Sequence, residues 1–188
     1  EGGSQQPARN ATRCEACERG SYCPVGASAP LPCPEGSYGS GTELASAEEC
    51  AACPAGSSCP TGATAPVACA PGSKAPNAST GTCTRCSEGS YQAVEGKTAC
   101  DACIATAWCA AGSSAPTSCA SGSFGVALGL RTADDCRACE AGSWCSAGRT
   151  IPCGLSTYNG AIGADDQSYC TQCPSNSFTL ADGSASIA

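Results

Sequence analysis

The chain is 188 residues long, with 20 Cys, 23 Gly, 13 Pro, no Met and no His, and 9 basic against 16 acidic side chains leave a net charge of -7. Leu, Ile, Val and Phe together number only 16, too few for the core of a globular enzyme, so covalent staples must replace the core if the chain is to fold at all. The lack of His excludes Ser-His-Asp and Cys-His nucleophiles and His-ligated zinc; the acidic balance is the wrong sign for nucleic acid, and no apolar run is long enough for membrane insertion.

A flank at 1–13 carries the sequon Asn10-Ala11-Thr12, an N-glycosylation candidate. Repeat 1 (14–49) then sets the pattern, with Cys14, Cys17, Cys23 and Cys33 spaced C-x2-C-x5-C-x9-C. Gly20-Ser21-Tyr22 and Gly36-Ser37-Tyr38 predict a turn with φ > 0 followed by an aromatic that covers a disulfide. Its connector ends in Ser46-Ala47-Glu48-Glu49, a capping-box pattern that predicts one helical turn delivering the next cysteine. Repeat 2 (50–82) holds Cys50, Cys53, Cys59 and Cys69 and a second sequon, Asn77-Ala78-Ser79. A shortened repeat (83–99) keeps only Cys83 and Cys86, with Gly89-Ser90-Tyr91, and interrupts the period. Repeat 3 (100–135) holds Cys100, Cys103, Cys109 and Cys119, then Gly122-Ser123-Phe124 and the capping pattern Thr132-Ala133-Asp134-Asp135. Repeat 4 (136–169) holds Cys136, Cys139, Cys145 and Cys153, the last spacing shortened to x7, with Gly142-Ser143-Trp144 between them. A last segment (170–188) opens with Cys170 and Cys173. The opening at Glu1 without an apolar leader, and the stop inside a unit, are what a piece cut from a longer array would show.

Bonding confined within units, first to third and second to fourth, would strand Cys83, Cys86, Cys170 and Cys173. A sequential ladder strands no interior cysteine. It pairs Cys17 with Cys23, Cys33 with Cys50, Cys53 with Cys59, Cys69 with Cys83, Cys86 with Cys100, Cys103 with Cys109, Cys119 with Cys136, Cys139 with Cys145 and Cys153 with Cys170. Parity therefore favours the ladder, although spacing alone does not fix connectivity. Cys14 and Cys173 remain as candidates for bonds to a neighbouring segment or molecule. Closing a loop of about 15 residues is worth roughly 3 kcal/mol in the chain-entropy picture, and neighbour-to-neighbour bonds predict an elongated rod with short strands and turns, little helix and minimal hydrophobic core.

The six C-x2-C pairs invite a zinc or thioredoxin reading. Every possible tetrad shares residues with another and no βαβ pattern surrounds any pair, so no metal or other cofactor is expected. Calcium is the alternative use of the acidic pairs Glu48-Glu49, Asp134-Asp135 and Asp165-Asp166, which lack the alternating ligands of a known loop. Between third and fourth cysteines lie Ser28-Ala29-Pro30, Thr64-Ala65-Pro66, Ser114-Ala115-Pro116 and Thr150-Ile151-Pro152. These read as turns with proline presetting φ, or as a row of O-glycosylation sites at Ser28, Thr64, Ser114 and Thr150. Twenty cysteines also imply an oxidising, extracellular or cell-surface setting.

The spacing, with the strings Cys33-Pro34-Glu35-Gly36-Ser37-Tyr38 and Cys50-Ala51-Ala52-Cys53-Pro54-Ala55-Gly56-Ser57, resembles the cysteine-rich repeats of ephrin-receptor-like, EGF-like and TNF-receptor-like ectodomains. The Ala- and Gly-rich style is similar to algal and protist cell-surface proteins such as mastigoneme proteins. This resemblance implies a structural extracellular glycoprotein that forms or stiffens a filament or stalk. Its partners would be copies of itself or other extracellular structural proteins, and it would carry covalent glycans. The alternative is the ligand-binding or adhesion ectodomain of a receptor, for which Arg131, Arg137 and Arg149 form the only loose basic grouping, with Arg85 standing apart.

Overall fold

With so few large side chains, strands have nothing to pack on except cystine, and they stay short. The computed structural model describes residues 2–6 and 13–187. In the first compact unit, Glu1–Arg85 with Gln92–Cys100, β1 (Ser4–Gln5) pairs antiparallel with β2 (Glu15–Ala16), β3 (Ser21–Tyr22) with β4 (Leu31–Pro32) and β5 (Ser37–Tyr38) with β6 (Ala51–Ala52). Two further hairpins follow, β7 (Ser57–Ser58) with β8 (Val67–Ala68) and β9 (Ser73–Lys74) with β10 (Thr84–Arg85). In the second unit, Cys86–Tyr91 with Asp101–Ala188, β11 (Ser90–Tyr91) pairs with β12 (Asp101–Ala102), β13 (Ala107–Trp108) with β14 (Thr117–Ser118) and β15 (Ser123–Phe124) with β16 (Arg137–Ala138). The series ends with β17 (Ser143–Ser146) on β18 (Arg149–Pro152) and β19 (Thr157–Tyr158) on β20 (Thr171–Gln172). Each full cysteine repeat thus begins two hairpins, and the shortened repeat begins one, β11–β12, after a turn at Gly89 like its neighbours. These are tandem cysteine-rich repeats of short antiparallel strand pairs, with almost no helix and little buried core.

The buried side chains are mostly half-cystines; besides them, among the described residues, only Ala75, Ala107, Leu130 and Ala164 are buried apolar groups. Bonds join Cys17 to Cys23, Cys53 to Cys59, Cys103 to Cys109 and Cys139 to Cys145, each across six positions of sequence. Longer links join Cys33 to Cys50, Cys69 to Cys83, Cys119 to Cys136 and Cys153 to Cys170. Cys86 and Cys100 are also disulfide-bonded. Cα separations of 5.5 to 5.9 Å across the short and long links fit the usual span of a disulfide.

One backbone rule stacks the hairpins, and Gly36 illustrates it. Its φ is +84°. Its N–H donates to the Cys59 carbonyl of the next hairpin (2.9 Å), and its own carbonyl accepts from the Cys53 N–H (2.9 Å). Meanwhile the Ser79 N–H, in the loop of the next hairpin but one, donates to the Cys53 carbonyl at 2.8 Å. A Cβ at position 36 would overlap the Ser79 carbonyl oxygen. The same bonds recur at Gly56, with partners Ala75, Cys69 and Gly96, and in the second unit at Gly122 and Gly142. The turn is therefore glycine for two reasons at once, a left-handed φ and the close approach of a carbonyl.

Three residues beyond the turn, the chain holds one of two kinds of residue. Where it is Cys, as at Cys59, it bonds back to the cysteine three residues before the turn. Elsewhere that earlier cysteine is released to the longer link, and a small or amide side chain fills the space. Buried Asn159 donates from Nδ2 to the Ser143 carbonyl (2.8 Å) and accepts from the Ala161 N–H (2.9 Å). Buried Gln92 accepts from the Val94 N–H (3.0 Å) and donates to the Ala99 carbonyl (2.9 Å). Among the described residues no buried side-chain N or O lacks a partner, as a core this thin requires.

The expected aromatic cover is present in altered form. Tyr91 packs on the buried cluster Cys103, Ala107 and Cys109, a disulfide of the following hairpin and not its own. Tyr22, Tyr38, Phe124 and Trp144 are half-buried on their strands. With cystine already shielded by stacked backbone, only one face of each ring is needed.

The connector turns form as 3-10 turns at Ala47–Glu49, Ala133–Asp135 and Gln167–Tyr169. Cys50, Cys136 and Cys170 each cap one C-terminally, so a single turn hands its cysteine to the longer link. Ser46 makes no side-chain cap bond; Glu49 reaches back instead to the Ala45 N–H at 2.9 Å. Asp135 accepts from the N–H groups of Arg131 (2.7 Å) and Thr132 (3.1 Å), and these two bonds hold its carboxyl below the usual aspartate range. A depressed folded pKa contributes stability that is present above the unfolded value, about 3.9, and is lost as pH falls through the folded one. Asp135→Ala is expected to reduce hydrogen-exchange protection at Arg131, Thr132 and Cys136 at neutral pH while leaving Cys139 protected. It should also abolish the loss of that protection expected of the parent as pH falls below the ordinary aspartate value, about 3.9.

Candidate functional site

The residues singled out by sequence do not converge. Cys14 is exposed and unpaired, on the approach to β2; Cys173 is unpaired and half-buried after β20. Asn77 is exposed in the loop between β9 and β10, its carbonyl accepting from the Thr80 hydroxyl at 2.8 Å. Asn10 lies outside the described residues. Ser28, Thr64 and Ser114 are exposed in like loops ahead of β4, β8 and β14. Thr150 departs from that register. The x7 spacing shortens its hairpin, so Thr150 lies within β18 opposite Cys145, its hydroxyl 3.7 Å from Cys145 Sγ.

The acidic pairs serve the connector turns. Asp166 accepts from the Ser168 N–H at 2.8 Å, which together with the Ser168 hydroxyl lowers its pKa; Glu48 is lowered chiefly by the Ser46 hydroxyl. Among the described residues no group of three or more His, Cys, Asp or Glu side chains is placed to hold a metal ion. Arg131 faces Asp135 at 4.0 Å, while Arg137 and Arg149 are exposed on strands β16 and β18 and Arg85 on β10. Surface depressions occur, one of them lined by Trp144, Ile151, Pro152, Thr157 and Gln167, with no titratable group in its wall. No helix among the described residues is long and apolar enough to cross a membrane.

What sequence reasoning missed is the stacking register itself. Glu43 and Ser79 occupy loop positions with φ of 66° and 58°, and their N–H groups donate to the Cys17 and Cys53 carbonyls at 3.0 and 2.8 Å. The second omission is a compensated exchange. Most turns carry glycine at this position and Ser156 and Asn176 reach φ of 64° and 68° there, but Thr106 has no positive φ, and the hairpin it meets, β17–β18, has a two-residue turn of Ala147 and Gly148 with φ of 50° and 73°. That is the positive-φ pair of a type I′ turn. A Cβ on Gly148 would overlap the Thr106 carbonyl, so here the glycine has moved from the turn to the loop that packs on it. The x7 spacing and the missing turn glycine are the two halves of one contact.

No family model matches the chain, and no curated protein matches it.

Proposed function

We propose that this chain is a structural segment of an extracellular glycoprotein, forming or stiffening a cell-surface filament or stalk, with repeats akin to EGF-like or TNF-receptor-like modules. The observation that carries the reading is the stacking rule. Within each unit, a hairpin's bonds run to the next hairpin or the next but one, and the candidate residues named above stay apart on successive loops and strands. Such a unit can be repeated without limit, each hairpin offering the next the same backbone bonds. Nine disulfides add the oxidising setting that extracellular proteins enjoy, and Asn77 offers an exposed site for N-linked glycan.

Cys14 and Cys173 are the joining points of this reading, Cys173 of one copy bonding Cys14 of the next. The oxidised chain is expected to give covalent multimers on non-reducing gels, with a Cys14–Cys173 cross-linked peptide in their digests. Cys14→Ser with Cys173→Ser should leave only the monomer. Multimers that survive both substitutions, or a chain whose two thiols stay fully alkylatable at high concentration, would overturn the joint. The structural role is tested on native cells, where antibody to the segment should label extracellular filaments or stalks. Label confined to the cell interior would sink the reading.

A further inference from the structure

We propose that Ser28, Thr64 and Ser114 are O-glycosylation sites, and that Thr150 and the serines of the hairpin turns are not. In the three loops the approach is the same. A turn closes from Ala27 to Pro24 (3.0 Å), from Ala63 to Pro60 (3.0 Å) and from Ser113 to Ala110 (3.1 Å), and the hydroxyl residue follows at once. All three hydroxyl residues are exposed, and none makes a side-chain hydrogen bond among the described residues. Alanine and then proline come next in each. Proline has no N–H, so each hydroxyl sits on an exposed bend that leads through a small alanine into a residue with no backbone donor to bind the loop further. A transferase can reach such an exposed hydroxyl without unfolding the hairpin.

The turn serines Ser37, Ser73 and Ser123 are differently placed. They donate to the carbonyls of Pro34, Ala70 and Ala120 at 2.7, 2.6 and 2.7 Å; they are half-buried and tie the turn on which stacking depends. Glycosylating one of them would remove the donated proton and break that bond. Thr150 has the sequence of a site, but its backbone is paired in β18. In the transfer, the Ser28 oxygen attacks the anomeric carbon of a phosphate-activated sugar and the bond from that carbon to the phosphate oxygen breaks. The phosphate leaves with the electron pair, and the hydroxyl proton passes to a base of the transferase.

The inference rests on the extracellular reading only in needing a route through a compartment that holds such transferases. The test is site mapping, by fragmentation that keeps glycans attached, on chain isolated unreduced from its native cells with free thiols alkylated first. Sugar on Ser28, Thr64 and Ser114, with Ser37, Ser73, Ser123 and Thr150 bare, is the expected result, and Pro66→Ala should lower occupancy at Thr64 alone. Sugar spread equally over loop and turn hydroxyls would overturn the proposal. Bare loops on an oxidised chain would overturn it and leave the extracellular reading standing; bare loops on a chain whose cysteines are all alkylated would overturn both.

Discussion

Gly36→Ala is expected to be among the most damaging single substitutions in the molecule, and Gly26→Ala shows why. Both glycines have left-handed φ, +84° and +79°, so alanine at either site carries a strain of about 1 to 2 kcal/mol. At Gly26 nothing lies within 4 Å of the added Cβ, whereas at Gly36 it would overlap the Ser79 carbonyl oxygen. The carbonyl belongs to backbone bonded to Cys53 and cannot swing aside as a side-chain tip would. Gly36→Ala should therefore lose about 4 kcal/mol or more, in the range reserved for core disruption, with Gly26→Ala near the strain cost alone. Gly41, whose φ is ordinary and whose surroundings are open, should tolerate alanine. Hydrogen exchange at Gly36, Cys53 and Ser79 in the oxidised proteins gives the ranking site by site. Equal losses at Gly26 and Gly36 would show that φ alone sets the requirement.

Reduction is the second large effect. Other folds lose a few kcal/mol when a bridge is cut; here the bridges are most of what is buried. With its disulfides reduced, the chain keeps, among the described residues, only Ala75, Ala107, Leu130 and Ala164 as non-cysteine apolar core, and isolated hairpins this short do not persist unaided. Full reduction at neutral pH is expected to abolish exchange protection everywhere, including at Gly56, Gly122 and Gly142. Protection surviving in any hairpin of the reduced and alkylated chain would mean that stacked backbone holds without cystine, contrary to the packing described.

Much of this was legible from cysteine positions, because a disulfide constrains both its partners and parity at Cys83 and Cys86 limits how the rest can pair. Turn glycines were legible too, since Gly-Ser before an aromatic has few conformational uses. The stacking register was not. Its bonds run backbone to backbone, Ser79 to Cys53 or Gly163 to Cys139, and place almost no demand on side-chain identity; Glu43, Ser79 and Gly62 serve alike. Thr106 could have raised the question as a β-branched residue where most turns carry glycine, yet its answer lies at Gly148, far along the chain. Thr150 was misplaced for the same reason, since a loop two residues shorter keeps its sequence motif while its backbone becomes strand. Gln92 and Asn159 gave no signal, because a buried amide satisfied by nearby backbone looks, in sequence, like any surface amide.

The two lengths of cystine loop have a mechanical consequence. If the backbone is pulled, the chain inside each disulfide cannot pay out, and only the stretches between successive bonds can lengthen. From Cys50 to Cys53 or from Cys136 to Cys139 that stretch is three positions long, about 10 Å when straight. From Cys23 to Cys33, Cys59 to Cys69 or Cys109 to Cys119 it is ten, roughly 35 Å. Load passes from one cystine to the next, and the reserve of length is released in small separate portions, each stopped by a covalent bond before the neighbouring portion need be drawn upon.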